Sequence, residues 1–244
     1  MVADAAFMKR QIAAHGDLRA ETLDESHWHV DQTKREDAQW AATLARRLPR
    51  GPRLRVLDIG TGLGYLAGVA ARLGHDAVGI DISPRTIERA RERAAQLGLD
   101  VDLRVGDADA LPFADGELDA VIARDIIWTM PDPARTLAEM GRVLRPGGRV
   151  LLIESRWLDR PTDSVPTTAG GAPPLDEHDG ARRAALPVLG GPNWQRLRDL
   201  LLDHDFDTVT LDRLRDVHAA RVAFDPAMDR PRGRRPFLLV AMRP

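Results

Sequence analysis

The sequence predicts an α/β fold: a doubly wound sheet of seven strands, mostly parallel with an antiparallel last strand, and with helices on both faces. The first observation behind this prediction is that short apolar stretches alternate with amphipathic stretches of helical length between residues 53 and 155. The second is a cluster of glycines, Gly60, Gly62 and Gly64, directly after the first apolar stretch. In an open parallel sheet, the turn from the first strand into the first helix is where ligands bind.

Length and composition are typical of one globular domain over residues 1–244, since the chain is 43% hydrophobic and 30% charged. A formal net charge of -2 creates no field that attracts nucleic acid or an anionic membrane, so we expect neither as a partner. The absence of cysteine excludes disulfides and thiolate nucleophiles. We recognise no signal peptide and no apolar run long enough to span a bilayer, and we therefore predict a cytoplasmic protein.

The first predicted helix covers residues 31–48, where Trp40, Leu44 and Leu48 recur at helical spacing. The prolines and glycine of residues 49–53 end it. We interpret residues 1–50 as a helical lid.

The central part of the chain, residues 51–155, is predicted to bind a cofactor through five strands connected by helices. Gly74 and Gly98 end two of these helices, and Pro84 occupies the first turn of the second. The predicted strands cover residues 53–60, 76–83, 101–108, 118–124 and 149–155, and the helices cover residues 65–74, 84–98 and 132–144.

The alternation stops after Ser155. Residues 156–192 are rich in proline and glycine and are predicted to form a cap or loop insertion over the substrate. Residues 193–244 are predicted to close the fold with one helix and two strands, over residues 205–214 and 235–244. Because we find no helical stretch between these two strands, we expect a hairpin that makes the last strand antiparallel.

The glycine cluster allows the main chain to approach a ligand, and the following helix offers free N–H groups at its start. A dinucleotide site would require a third glycine at the position of Tyr65, where a large side chain obstructs helix packing. Asp58, two residues before the first glycine, would repel a pyrophosphate; it can accept a hydrogen bond from an amino group or fix the loop. These departures favour a ligand with an amino-acid end over a nicotinamide dinucleotide.

The stretch VLDIGTGLGYLA (residues 56–67), together with VGIDIS, VGDADALPF and RVLRPGGRVLL in that order, resembles the class I S-adenosylmethionine-dependent methyltransferases over about residues 31–154. The resemblance implies a Rossmann-like fold and S-adenosyl-L-methionine as cofactor. It places Asp81 on the ribose hydroxyls, Ile82 against the adenine ring, Asp107 on the adenine amino group, the N–H of Ala108 near the ring, and Arg124 beside the methionine part. The full set of predicted cofactor residues is Asp58, Gly60, Thr61, Gly62, Gly64, Tyr65, Asp81, Ile82, Asp107, Ala108 and Arg124.

Several of these residues have a purely structural alternative. Asp81 and Asp107 are also explained as helix caps or turn residues, and Tyr65 as a packing residue. On the substrate side, Asp125 is a candidate base or a helix cap, and Trp128 is a candidate substrate wall or a core residue.

His27 and His29 are candidate bases, because histidine titrates near neutral pH, and His29 is also a candidate substrate contact. Lid segments also commonly carry histidine without a chemical role, which is the alternative for both residues. We predict no metal site.

The predicted function is methyl transfer from S-adenosyl-L-methionine to an oxygen, nitrogen or carbon atom of a small-molecule metabolite by in-line displacement. The alternatives are an enzyme of the same fold that uses the cofactor otherwise, for example by cyclising it, and a non-catalytic cofactor-binding protein. The sequence leaves the choice between monomer and homodimer open.

Overall fold

The computed structural model describes residues 5–22, 30–155, 194–224 and 236–244, which form a seven-stranded sheet with helices packed around it. The strands are β1 (Arg55–Ile59), β2 (Asp76–Asp81), β3 (Asp102–Val105), β4 (Leu118–Arg124), β5 (Leu144–Ser155), β6 (Asp207–Asp212) and β7 (Pro236–Met242). The helices are α1 (Ala5–Thr22), α2 (Val30–Arg47), α3 (Tyr65–Arg72), α4 (Pro84–Gln96), α5 (Pro133–Val143), α6 (Trp194–Leu202) and α7 (Arg215–Phe224).

The strand order in the sheet is β3-β2-β1-β4-β5-β7-β6. The first five strands pair in parallel, and β7 pairs antiparallel with both β5 and β6. The predicted mostly parallel sheet with an antiparallel last strand is thus confirmed. Since β1 lies between β2 and β4, the strand order reverses there, and the crevice for a ligand opens outside the carboxyl ends of these strands.

The prediction that no helix separates the last two strands is wrong. Helix α7 lies between β6 and β7, packs against α2, and buries Val217 completely. The helix is only ten residues long and mixes apolar with charged side chains, so the packing against α2 rather than a clear apolar stripe stabilises it. The basic run at residues 230–235 lies outside the described residues.

Local capping explains where the central helices begin. Ser83 precedes α4 and accepts a hydrogen bond from the backbone N–H of Thr86, and Pro84 occupies the first turn as predicted. Asp132 does the same for α5 by accepting from the N–H of Arg135. Such caps satisfy N–H groups that the helix itself leaves unpaired, and each stabilises a helix by about 1 kcal/mol.

Apolar clusters cover both faces of the sheet. One contains side chains of α5 and α6, and the other contains side chains of α2, α3 and α7. Trp40, Leu44 and Leu48 of the predicted first amphipathic stretch are buried in the second cluster. These layers hold the strands in register and thereby determine where the carboxyl ends of β1, β2, β3 and β4 lie.

Helix α1 precedes this framework and contacts α4. Among the described helices, none combines the length and the apolar composition that a bilayer crossing requires.

Candidate functional site

The glycine loop connects the end of β1 to the start of α3. Gly60 and Gly62 have φ values of +63° and +55°, a left-handed conformation that side chains other than glycine rarely adopt. A Cβ atom at Gly60 would collide with the side chain of Ile126, whereas one at Gly62 would project into open space. Gly60 is therefore required by the packing of the protein, and Gly62 leaves the crevice clear.

The side chain of Asp58 holds the glycine loop in place. Its Oδ2 atom accepts hydrogen bonds from the Thr61 hydroxyl at 2.7 Å and from the Ala67 N–H at 3.1 Å. The side chain is buried, and burial raises its pKa to about 6, although the hydrogen bonds and the charge of Arg124 oppose the shift. These contacts are the ones expected if Asp58 fixes the loop, one of the two roles predicted for it.

Asp81 lies at the end of β2 and connects this strand to the glycine loop. Its Oδ2 accepts from the N–H of Gly62 at 3.1 Å, and its Oδ1 accepts from the N–H of Ser83 at 3.0 Å. Burial raises the pKa of Asp81, and both N–H groups act against that rise. The cap of α4 is Ser83, so the alternative of Asp81 as a helix cap is wrong. The hydrogen bond from the Ser83 N–H to Asp81 is, however, the contact expected for the second structural alternative, in which Asp81 is a turn residue.

Asp107 lies after β3 and is held by Lys9 of α1. The Lys9 ammonium donates to Asp107 Oδ1 at 2.9 Å and Oδ2 at 2.7 Å, and it also lies 2.7 Å from Asp109 Oδ2. Burial lowers the pKa of Lys9, but the two carboxylates outweigh this effect and the net pKa is raised. Sequence analysis missed Lys9, whose only signal is that the chain has just two lysines.

Arg124, at the end of β4, carries its positive charge over two aromatic rings. Its guanidinium carbon lies 5.3 Å from the ring centre of Tyr65 and 5.9 Å from that of Trp40. Tyr65, the first residue of α3, is packed in the apolar cluster of α2, α3 and α7, and burial raises its pKa. The structure thus places two residues predicted for the methionine end, Arg124 and Tyr65, against each other beside the glycine loop.

The remaining predicted cofactor residues line the same edge. Thr61 is buried and its N–H donates to the carbonyl of Ile80 at 2.9 Å. Ile82 is half-buried directly after β2, and Ala108 is buried in the cluster that contains α5. Gly64 has a φ of +77° and immediately precedes α3.

The segment after β4 holds the substrate-side candidates. Asp125 has a φ of +55°, and its N–H donates to the carbonyl of Ile153 at 2.8 Å. The N-cap residue of the short 3-10 helix Ile127–Thr129 is Ile126, and that of α5 is Asp132, so Asp125 holds neither N-cap position. Trp128 is half-buried in that 3-10 helix and belongs to neither core cluster.

Glu154, at the end of β5, was also missed by sequence analysis. It is fully buried, and its Oε1 accepts from the N–H of Ile127 at 3.1 Å. Within the described ranges, its Oε2 has no hydrogen-bond partner. Burial, followed by the charge of Asp125, raises the pKa of Glu154 well above its usual range. The sequence signal was a single acid at the end of an apolar strand, which is easily mistaken for the start of a loop.

His27, His29 and residues 156–192 lie outside the described residues, so the predictions on them stay predictions. Of the residues that are described, no three histidine or carboxylate side chains form a group that could hold a metal ion. Two open clefts of about 800 Å³ and 540 Å³ lie elsewhere, and the first is lined by Arg46, Arg50, His75 and Arg149 near the amino ends of the strands. Neither contains the acids described above, and we place the candidate site at the carboxyl ends because the acids and the glycine loop meet there.

Comparison with known proteins identifies the central part of the chain. Residues 57–152 match the family described as methyltransferase domain. The rice protein 2-methyl-6-phytyl-1,4-hydroquinone methyltransferase 2 (Oryza sativa subsp. japonica) is 36% identical over 144 residues, which are 57% of this chain and 39% of that protein. The matches to the curated relatives span only 35–39% of the length of those proteins.

Solved structures agree on the fold. The [4+2]-cyclase SpnF has a TM-score of 0.65 and 21% identity, with 97% of each chain covered. Phosphoethanolamine N-methyltransferase 2 of Haemonchus contortus, in complex with phosphomonomethylethanolamine and S-adenosylhomocysteine, has a TM-score of 0.60 and 20% identity, covering 85% of this chain and 52% of that one. At such identities the likeness concerns the fold, which a methyltransferase and a cyclase share.

Proposed function

Residues 57–152 belong to the methyltransferase-domain family and have the class I S-adenosylmethionine-dependent fold, and from this premise we propose that the chain is a methyltransferase acting on a small molecule. It binds S-adenosyl-L-methionine and transfers the methyl group to an oxygen, nitrogen or carbon atom of the acceptor. The observation that carries the proposal is the hydrogen bond from the Gly62 N–H to Asp81. This hydrogen bond connects the glycine loop to an acid on the neighbouring strand. The space beside Gly62 is open, and a Cβ atom at this position would project into it.

The described residues fit each part of this cofactor. The carboxylate of Asp81 retains lone pairs beyond its two backbone bonds and would accept hydrogen bonds from the ribose hydroxyls. Ile82 would lie against the adenine ring, and Asp107 would accept from its amino group. Arg124, oriented by the rings of Tyr65 and Trp40, would face the methionine carboxylate. The N–H groups at the start of α3 favour the same negative charge.

The bound cofactor supplies an electrophilic methyl group on a good leaving group, so the protein contributes mainly position and exclusion of water. Asp125 would orient the acceptor or take its proton, because it directly follows Arg124 at the carboxyl end of β4. Glu154 would hold the segment after β4 in place through the N–H of Ile127. The names of the similar rice and Haemonchus proteins refer to small-molecule substrates, which supports a small-molecule acceptor for this chain.

The experiment is titration calorimetry with S-adenosylhomocysteine on the wild-type chain and on Asp81→Asn. We expect the variant to bind about 10- to 100-fold more weakly, because hydrogen bonds to a charged acceptor are worth about 1.5–3 kcal/mol. Asp100→Asn is the matched control, since Asp100 is exposed between α4 and β3. Equal affinities for wild type and Asp81→Asn, or binding of a nicotinamide dinucleotide instead, would contradict the proposal.

Product analysis then separates the reactions. Mass spectrometry of incubations with candidate acceptors should show S-adenosylhomocysteine together with an acceptor heavier by one methyl group. Formation of methylthioadenosine would instead favour cyclisation of the cofactor. Binding without any turnover across phenols, amines and hydroquinones would favour a non-catalytic cofactor-binding protein.

A further inference from the structure

Helix α1 is attached to the candidate site at two points. Lys9 contacts the acids that follow β3, and Gly16 and Asp17 contact the start of α4, directly after β2. Eight residues of helix separate the two attachments, which is a rise of about 12 Å. The helix therefore passes across the carboxyl ends of the two strands that the proposed function assigns to adenosine.

The Gly16–Asp17 attachment is tightly packed. The Asp17 carboxylate accepts from the Ser83 hydroxyl at 2.6 Å and from the N–H of Arg85 at 3.2 Å, and the carbonyl of Gly16 accepts from the Thr86 hydroxyl at 3.2 Å. A Cβ atom at Gly16 would lie 2.7 Å from the Cβ of Ser83, so only glycine allows this approach. This end of α1 is held by three hydrogen bonds and by steric fit.

The Lys9 attachment consists of charge-assisted hydrogen bonds and an ion pair, and its two acceptors differ in exposure. The side chain of Asp107 is 38% exposed, whereas that of Asp109 is 4% exposed. Asp109 is further fixed by the hydroxyl of Thr136. The ammonium of Lys9 thus bridges one buried carboxylate and one carboxylate that is partly exposed.

The occupancy of the Asp107 oxygens shows what adenine recognition there would require. Oδ1 accepts from Lys9 and from the N–H of Asp109, and Oδ2 accepts from Lys9. Oδ2 has a second lone pair, so an adenine amino group that donates to it either shares this oxygen with Lys9 or displaces the Lys9 contact. Asp109 remains available as the counter-ion of the ammonium, because its Oδ2 is already 2.7 Å from Lys9 Nζ.

We propose that Lys9 is a further residue of the cofactor site, which competes with the adenine amino group for Asp107 and transfers to Asp109 when the base binds. The inference rests on the proposed function. Its consequence is that cofactor binding loosens the amino-terminal half of α1, while the Gly16–Asp17 attachment stays in place. Lys9 acts through Asp107, so it is a positioning residue.

The test uses the full chain and the double variant Lys9→Met/Asp109→Asn, which removes the ammonium together with the buried carboxylate it neutralises. Asn retains an acceptor for the Thr136 hydroxyl, so the variant leaves no unpaired buried charge. Calorimetry should show S-adenosylhomocysteine binding about tenfold more tightly to the variant, because a charge-assisted contact of Asp107 no longer has to be exchanged. S-inosylhomocysteine, whose base has an oxygen in place of the amino group, should show no such gain.

Hydrogen exchange on the wild-type chain is the second measurement, and it holds even if the double variant does not fold. Addition of S-adenosylhomocysteine should speed amide exchange in residues 6–12 and leave residues 16–20 unchanged. If the wild-type chain binds S-adenosylhomocysteine but the double variant binds it equally or more weakly, the proposed role of Lys9 is wrong. Slower exchange in residues 6–12 on binding would have the same meaning. Neither result would affect the proposed function. Failure of the wild-type chain to bind S-adenosylhomocysteine would overturn the proposed function as well.

Discussion

Asp58→Asn is a sharp test of how the glycine loop is held. Both hydrogen bonds to Asp58, from the Thr61 hydroxyl and the Ala67 N–H, end on the same oxygen. The single oxygen of asparagine can accept both, so the variant removes the charge and preserves the loop contacts. We therefore expect its affinity for S-adenosylhomocysteine to stay within about threefold of wild type, because a change below 1 kcal/mol is smaller than the loss of a hydrogen bond to a charged group.

The magnitude follows from the pKa of Asp58, which burial raises from an ordinary 3.8 to about 6. A folded-state pKa above the unfolded one means that the folded protein binds the proton more tightly. The stabilisation is thus complete below pH 3.8 and is lost as the pH rises towards 6. At about 1.4 kcal/mol per pKa unit, the loss is on the order of 3 kcal/mol.

The assay is urea denaturation of wild type and Asp58→Asn between pH 4 and 7. The difference in the free energy of unfolding should shift by up to about 3 kcal/mol in favour of the variant across this range. Taking the difference cancels the other carboxyl groups, which titrate in both proteins. Asp100→Asn, at an exposed position between α4 and β3, is the matched control. Parallel stability curves for wild type and Asp58→Asn would refute the reasoning, since they would mean that Asp58 does not titrate in this range.

Two other substitution pairs probe the loop and the buried acid. Gly60→Ala should destabilise the protein more than Gly62→Ala in thermal melts, because both adopt a positive φ that costs about 1–2 kcal/mol but only Gly60 faces the Ile126 side chain. Gly62→Ala should instead weaken S-adenosylhomocysteine binding at least about tenfold, because one close contact between the ligand and the backbone is lost. An unchanged affinity would mean that no ligand approaches this loop. Glu154→Gln should gain stability relative to wild type as the pH rises above about 4.5, since the raised pKa of Glu154 makes the folded wild type lose stability in that direction. Glu154→Leu should cost about 1–3 kcal/mol at every pH by leaving the Ile127 N–H unpaired, and equal unfolding midpoints for the two variants would contradict this role.

The residue pattern alone was sufficient for the central fold. Buried strands and amphipathic helices have different periods, so the alternation from residue 53 to 155 predicted the parallel part of the sheet. The glycine cluster and the acids Asp58, Asp81 and Asp107 were equally visible, because each is a local feature of a strand and the turn after it. The apolar stretch before the chain end predicted β7, and its antiparallel pairing is confirmed.

Contacts between distant segments were decided by the tertiary structure. Lys9 and Asp107 are separated by 98 positions, and nothing in either segment indicates that they pair. The stacking of Arg124 on Trp40 and Tyr65 joins three different elements. Helix α7 was missed because its stabilising contacts are with α2, far away in the sequence.

Sequence by itself thus determined the alternation of strands and helices over residues 53–155, the glycine loop, and the acids Asp81 and Asp107 after their strands, since periodicity and turn chemistry act within a few residues. Only the tertiary structure decided which charges lie close together, that Glu154 is buried with a raised pKa, and that α1 packs against α4. The reason is physical: burial and charge pairing depend on groups that the chain brings together only after it has folded.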